Sequence, residues 1–209
     1  PPHCGLAVRY AGERERLLGR VEAVERPLAD ADPTHRLLDG HLPHALLPDE
    51  GEPGLEEGLL GRVERLRRYF PGCALTADMI TGFPGETEVD QAAAVEFLEQ
   101  VGFAAVHVFP YSRRPGTKAD AMPEQLSHAV KSARAHEAQR AADACKQRYL
   151  AQQVGQILPV LFETEHDGNW VGHSDNYCLV RVAGDDLRGL VKNVKISAVS
   201  GQMLVGDLV

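Results

Sequence analysis

The chain is poor in the features that announce a metal centre, a membrane span or a broad RNA-binding surface. Its four cysteines, Cys4, Cys73, Cys145 and Cys178, are scattered. No CxxC or CxxxCxxC spacing occurs, so no compact thiolate site can be built from neighbouring ligands. They read as reduced thiols, mostly buried as small hydrophobes. None of the nine histidines forms HExxH or a similar helical pair, and the two in "HLPHALLP" fall in a proline-rich loop where solvent exposure is expected. No apolar run approaches the length that crosses a bilayer. The start, "PPHCGLAVRYAGERER", has no signal-peptide core and carries charges early. A cytoplasmic protein without a membrane partner is expected. Positive charge is in deficit as well: the net charge of −8 excludes a basic surface over the whole molecule but leaves room for a local basic patch. The chain does not begin with Met, so a piece of a longer protein is expected.

What is present falls into three textures. Residues 1–50 are irregular, with "HLPHALLPDEGEPG" reading as loop or turn. Residues 51–151 alternate between two periods. "EEGLLGRVERLRRYF" places Leu59, Val63, Leu66 and Phe70 at helical spacing. "ALTADMIT" reads as a strand ending at Gly82. "ETEVDQAAAVEFLEQVG" reads as a helix with Thr87 as N-cap, Asp90 closing a capping box, Ala93, Phe97 and Val101 on one face, and Gly102 just past its end. "AAVHVFPY" is a second strand. A long helix follows over "PEQLSHAVKSARAHEAQRAADACKQRYLAQQ", with Leu126, Val130, Ala133, Ala141, Cys145 and Tyr149 near one stripe. Helix–strand–helix–strand–helix predicts parallel neighbours in an α/β sheet. From residue 152 the period becomes 2, and five short β runs separated by "HDGN", "SDN" and "GDD" predict a small closed barrel. A domain boundary is expected near Val154 and Gly155, dividing the chain into 1–151 and 152–209.

Two loops follow the C-terminal ends of the predicted strands, where ligands of α/β sheets bind. In "TGFPGETE", Gly82 and Gly85 permit positive φ or close backbone approach, and Pro84 stiffens the turn. The helix behind it offers free N–H groups to a carboxylate or phosphate, while Glu86 and Glu88 can answer the same dipole. It is no P-loop, because no Lys-Ser/Thr follows. In "HVFPYSRRPGT", Tyr111, Ser112, Arg113 and Arg114 combine an aromatic ring, a hydroxyl and two guanidinium groups, a set that holds phosphate and stacks on a base. A solvated basic loop has the same composition. His107, inside the strand, reads as a satisfied core residue. Residues 113–148 carry eight basic and four acidic side chains, a local surplus of four in an acidic chain.

"ADMITGFPGETEVD", "HVFPYSRRPGTKADAM" and "LFETEHDGNWVGHSDNYCLVRV" resemble successive blocks of the radical-SAM tRNA methylthiotransferases. "HVFPYS" and "WVGH…NY" are most similar to the branch acting on N6-threonylcarbamoyladenosine. Weaker echoes lie upstream in "RVEAVERPLADADPTHRLL" and "GHLPHALLPDEG". The resemblance implies a partial TIM-like (radical-SAM) half-barrel followed by a small TRAM/OB-like β-barrel. It implies S-adenosylmethionine and [4Fe–4S] clusters as cofactors and the anticodon region of tRNA as partner. Thr81, Gly82, Phe83, Pro84, Gly85 and Glu86 would line the S-adenosylmethionine side. Tyr111, Ser112, Arg114, Pro115, Gly116 and Thr117 would form the substrate rim. Trp170, His173, Asn176, Tyr177, Lys192 and Lys195 would contact tRNA. The cluster motif is missing, so no metal-ligating or catalytic residue is assigned, and this stretch alone is expected to be inactive. A non-enzymatic RNA-binding module is the alternative. The predicted barrel has four basic and seven acidic residues, net −3, so any RNA must use one face and stacking.

Overall fold

The computed structural model describes residues 9–10 and 55–209. The two upstream echoes and Cys4 lie outside the described residues. The elements are β1 (Arg9–Tyr10), α1 (Leu55–Tyr69), β2 (Thr76–Thr81), α2 (Glu88–Val101), β3 (Ala105–Pro110), α3 (Lys118–Ala121) and α4 (His128–Gln152). The β region then runs β4 (Ile157–His166), β5 (Asn169–Ser174), β6 (Leu179–Ala183), β7 (Val191–Ser200) and β8 (Met203–Leu208). No described helix is long and apolar enough to cross a membrane.

The first part is mixed α/β, with strand order β1-β2-β3 and both pairings parallel. β1 was not anticipated; Arg9 pairs with Asp78 and Tyr10 with Met79. On β2 the pleat sends Ala77, Met79 and Thr81 toward the helices and leaves Asp78 and Ile80 half-buried on the other face. Leu59, Val63 and Leu66 of α1, Phe97, Leu98 and Val101 of α2, and Ala138 and Ala142 of α4 complete that core. α2 starts as expected: Thr87 and Asp90 form a reciprocal capping box, and Gly102 ends the helix in the left-handed region at φ 62°.

Several local expectations are corrected. Phe70 follows the end of α1 and is partly exposed. On α2 the buried alanine is Ala94, with Ala93 half-buried. α4 begins only at His128, capped by the Ser127 hydroxyl, so Leu126 precedes it. Ala133 is exposed, and Arg134 takes the buried place in the stripe. His107 is exposed rather than a core residue. It stacks on Phe109 with ring centroids 6.5 Å apart.

The last five strands close into a barrel in the order β4-β5-β6-β8-β7, with β6–β8 the parallel pair. Val160, Phe162, Trp170, Val180, Val182, Val194, Ile196 and Leu204 alternate into its interior. Two glycines make the tight bends possible. A Cβ on Gly172 would lie 2.0 Å from the Leu161 carbonyl oxygen, and one on Gly206 2.3 Å from that of Lys195. Each sits beside a register shift, in β4/β5 and in β7/β8. The barrel core is continuous with the end of α4 through Tyr149 and Leu150. Polar ties reinforce the junction: Lys146 Nζ donates to Gln202 Oε1 (2.9 Å), Gln147 Nε2 to the Gly201 carbonyl (2.8 Å), and Asn176 Nδ2 to Gln153 Oε1 (3.0 Å).

Candidate functional site

The two glycine-marked loops meet at one end of the sheet because β2 and β3 are parallel and in register up to Thr81 and Pro110. The Tyr111 amide donates to the Thr81 carbonyl (2.8 Å). The Phe83 and Tyr111 rings then lie edge to face, centroids 5.2 Å apart.

In the first loop, Thr81, Gly82, Pro84 and Glu86 are buried, whereas Phe83 and Gly85 are half-buried. Gly82 (φ 71°) and Gly85 (φ 82°) both occupy the left-handed region. Gly82 is also sterically required, since a Cβ there would lie 2.6 Å from Lys131 Cγ. The amides of the turn itself are engaged by the chain. Both Glu86 oxygens accept from the Gly82 amide (2.9 and 3.0 Å), Gly85 N–H donates to the Glu124 carbonyl, and Thr87 N–H donates to Asp90 Oδ2. The turn's own amides at Gly82, Gly85 and Thr87 are thus committed within the chain, ahead of the first residue of α2, Glu88. Glu86 is a buried acid that closes its own turn, with Arg134 Nη1 at 2.7 Å as its counter-charge. Two hydroxyls at the seam, Thr81 Oγ1 and Tyr111 Oη, are buried with no hydrogen-bond partner.

The second loop separates two arginines that look equivalent in sequence. Arg113 Nε binds Asp120 Oδ1 (2.7 Å) and Nη2 binds the Asp120 carbonyl, which ties the loop to α3. Arg114 is exposed, and its carbonyl accepts from the Thr117 hydroxyl (2.8 Å). Ser112 and Thr117 are exposed, and Gly116 (φ 83°) makes the turn. Lys131 Nζ lies 5.0 Å from the Tyr111 ring centroid, a cation–π contact from beneath.

The barrel residues do not share one character. Trp170 is 6% exposed and belongs to the barrel core, so it offers no stacking face. Tyr177 is 71% exposed and holds φ 59°, a conformation uncommon for a non-glycine residue. The Ser174–Asn176 hydrogen bond (2.6 Å) and the Tyr177 amide to the Ser174 carbonyl (2.9 Å) impose it. Asn176 is therefore engaged in shaping the turn. His173 Nδ1 is paired with Glu163 (2.6 Å) on the surface. Lys192 and Lys195 are both exposed on β7, but an odd spacing along a strand turns them to opposite sides.

The three described thiols fit an iron–sulfur ligand set poorly. Cys145 and Cys178 are buried and Cys73 is half-buried. Burial pushes the Cys73 and Cys145 thiols up, and that of Cys178 up to about 11, which disfavours the thiolate a cluster needs. Cys145 Sγ donates to the Leu98 carbonyl. Among the described residues no three His, Cys, Asp or Glu gather as a metal site.

Sequence reasoning missed Arg134, Lys131, Glu124 and Asp120, the groups that hold the loops. A signal existed for one of them: Arg134 lies in the helical register of Val130, Ala138, Ala141 and Cys145, and a lone cation within an apolar stripe signals a buried ion pair.

No protein-family model matches the chain. Curated relatives do. The threonylcarbamoyladenosine tRNA methylthiotransferase MtaB of Bacillus subtilis (strain 168) is 37% identical over 141 residues, covering 65% of this chain and 31% of its own length. The tRNA-2-methylthio-N(6)-dimethylallyladenosine synthase of Maricaulis maris is 39% identical over 149 residues, covering 70% and 33%. That of Bartonella bacilliformis is 32% identical over 185 residues, covering 83% and 40%. The chain spans about a third of the length of the curated relatives it matches. With homology over most of its residues to both kinds of enzyme, the chain belongs to the radical-SAM tRNA methylthiotransferase family.

Proposed function

We propose that this chain is the substrate-presenting part of a tRNA methylthiotransferase. On this reading, residues 1–151 belong to a partial TIM-like half-barrel and residues 152–209 form a TRAM-like barrel. The observation that carries the reading is the meeting of the two loops at the C-terminal ends of adjacent parallel strands. The partner is the anticodon region of tRNA, and the modified base is N6-threonylcarbamoyladenosine, supported by "HVFPYS". The localisation is cytoplasmic.

The seam between the two loops fits a nucleoside-bearing cofactor such as S-adenosylmethionine through the Phe83 ring and the unpartnered hydroxyls of Thr81 and Tyr111. The chain's own residues would orient that cofactor, whose reactive carbon-centred species forms only with one electron from a reductant that the described residues do not hold. The described residues do not fit a [4Fe–4S] cluster, so no step is derived through one, and this stretch alone is inactive. Arg114, Ser112 and Tyr111 face the RNA at the rim, with Tyr177 as a stacking face and Lys192 or Lys195 as a phosphate contact on the barrel.

Fluorescence anisotropy with a tRNA anticodon stem-loop tests this. Binding should weaken with salt, and Arg114→Ala should lower the slope of log K against log salt by roughly 0.7–0.9, the loss of one phosphate contact. A salt-independent signal, or none at low salt, removes the reading.

A further inference from the structure

We propose that Arg134 is the positioning residue of the Thr81–Glu86 turn: one guanidinium from α4 sets the direction in which that turn presents its ring and carbonyls. The inference rests on the reading of this turn as the cofactor side of the site.

The connections form a circuit in which Arg134 Nε alone of the guanidinium nitrogens is left buried without a hydrogen-bond partner. Arg134 Nη1 donates to both the Glu86 carbonyl (2.9 Å) and Glu86 Oε1 (2.7 Å), and Nη2 donates to Glu88 Oε1 (2.8 Å). Glu86 passes the constraint on, its two oxygens receiving the amide of Gly82 four residues back. Glu86 and Arg134 are each 6% exposed, so the pair is shielded from water. Glu88 is open to solvent and adds little. A buried carboxylate stripped of its counter-charge is unfavourable. Without Arg134, then, Glu86 leaves its place, and the Gly82 amide loses its acceptor. The three acceptors diverge around one guanidinium, a geometry a point-charge ammonium cannot reproduce. One turn earlier, Lys131 packs against Gly82 and lies under Tyr111. The same face of α4 therefore supports both loops, while its far end, through Tyr149 and Gln153, holds the barrel. Nothing in this circuit leaves Glu86 available to a ligand; its acid serves the turn.

The test is amide hydrogen exchange, read residue by residue by NMR on the 209-residue chain, in Arg134→Met, Arg134→Lys and the parent. Arg134→Met should speed exchange at Gly82 and Gly85 by about tenfold or more. Barrel amides such as Val180 and Ile196 should keep their rates, and Arg134→Lys should fall between. Equal acceleration everywhere would make Arg134 a general stability element and overturn the proposal, as would unchanged exchange at Gly82. If Arg134→Met does not fold, Arg134→Lys against the parent gives the same local-versus-global decision. Equilibrium dialysis with S-adenosylmethionine runs alongside. A parent chain that takes up none removes the cofactor reading of the turn, and the exchange pattern still decides the role of Arg134.

Discussion

Replacing Gly82 with alanine tests the geometry of the site without removing a charged group. Two costs add. At φ 71° an L side chain sits in the left-handed region, which costs about 1–2 kcal/mol. The new methyl would also lie 2.6 Å from Lys131 Cγ and 3.1 Å from Lys131 Cα. The Cγ can swing away, at the expense of the contact with Tyr111, but the Cα belongs to the backbone of α4 and must move; such overpacking costs about 1–3 kcal/mol. The sum is about 3 kcal/mol, or roughly 6–12 °C in Tm for a chain of this size. Two control substitutions separate the terms. Gly116 has φ 83° with nothing within 4 Å of an added Cβ, so Gly116→Ala should lose only the conformational part, about 1 kcal/mol. Gly61 lies within α1 with open space around it, so Gly61→Ala should gain about 0.5–1 kcal/mol through helix propensity. Thermal melts followed by circular dichroism should rank the four proteins Gly61→Ala, parent, Gly116→Ala, Gly82→Ala. Equal melting of Gly82→Ala and Gly116→Ala would refute the close packing of α4 against the first loop.

Other expectations follow from the same structure. Gly172→Ala puts a methyl 2.0 Å from a backbone oxygen, so it should cost more than about 3 kcal/mol and broaden or abolish the barrel's transition in urea. Cys178 lies in the barrel core with its thiol pushed up from 9.0 to about 11, mainly by burial. The unfolded thiol ionises first as pH rises, so the share of stability owed to Cys178 should hold up to about pH 9 and fall by about 2 kcal/mol by about pH 11; Cys178→Ala should remove that share in urea melts, leaving the further loss owed to the Tyr149 hydroxyl, which burial also pushes up. Thr87→Ala removes the capping box of α2 and should cost about 1 kcal/mol in the same assay.

Much of the architecture was legible because turns and caps are local. Thr87, Asp90 and Gly102 delimit α2 by chemistry contained within one helical turn at each end. The parallel order of β2 and β3 followed from the intervening helix. The barrel strands declared themselves through their alternation. What could not be read was which neighbour in a low-contrast segment faces inward. Alanine is at home on either side of a helix, so Ala133 and Ala93 were indistinguishable from the residues beside them. Arg134 was invisible for the opposite reason, since a cation is placed in solvent until a buried acid is found for it. Trp170 shows the same limit of composition: a tryptophan in a short strand stacks outward or packs inward, and here the barrel interior took it. The Arg113–Arg114 pair was separated only by a contact to Asp120, seven residues away. β1, two residues long in a stretch with no period, carried no signal of its own.

The account turns on the 111–117 loop and the barrel meeting one RNA. Hydrogen–deuterium exchange of the chain with and without a tRNA anticodon stem-loop measures that directly. Protection should appear together at residues 111–117 and at Tyr177 or the Lys192–Lys195 stretch, with a smaller change at Phe83 and Gly85. Protection on the barrel alone, with the loop at 111–117 unchanged, would contradict the claim that this loop forms the substrate rim.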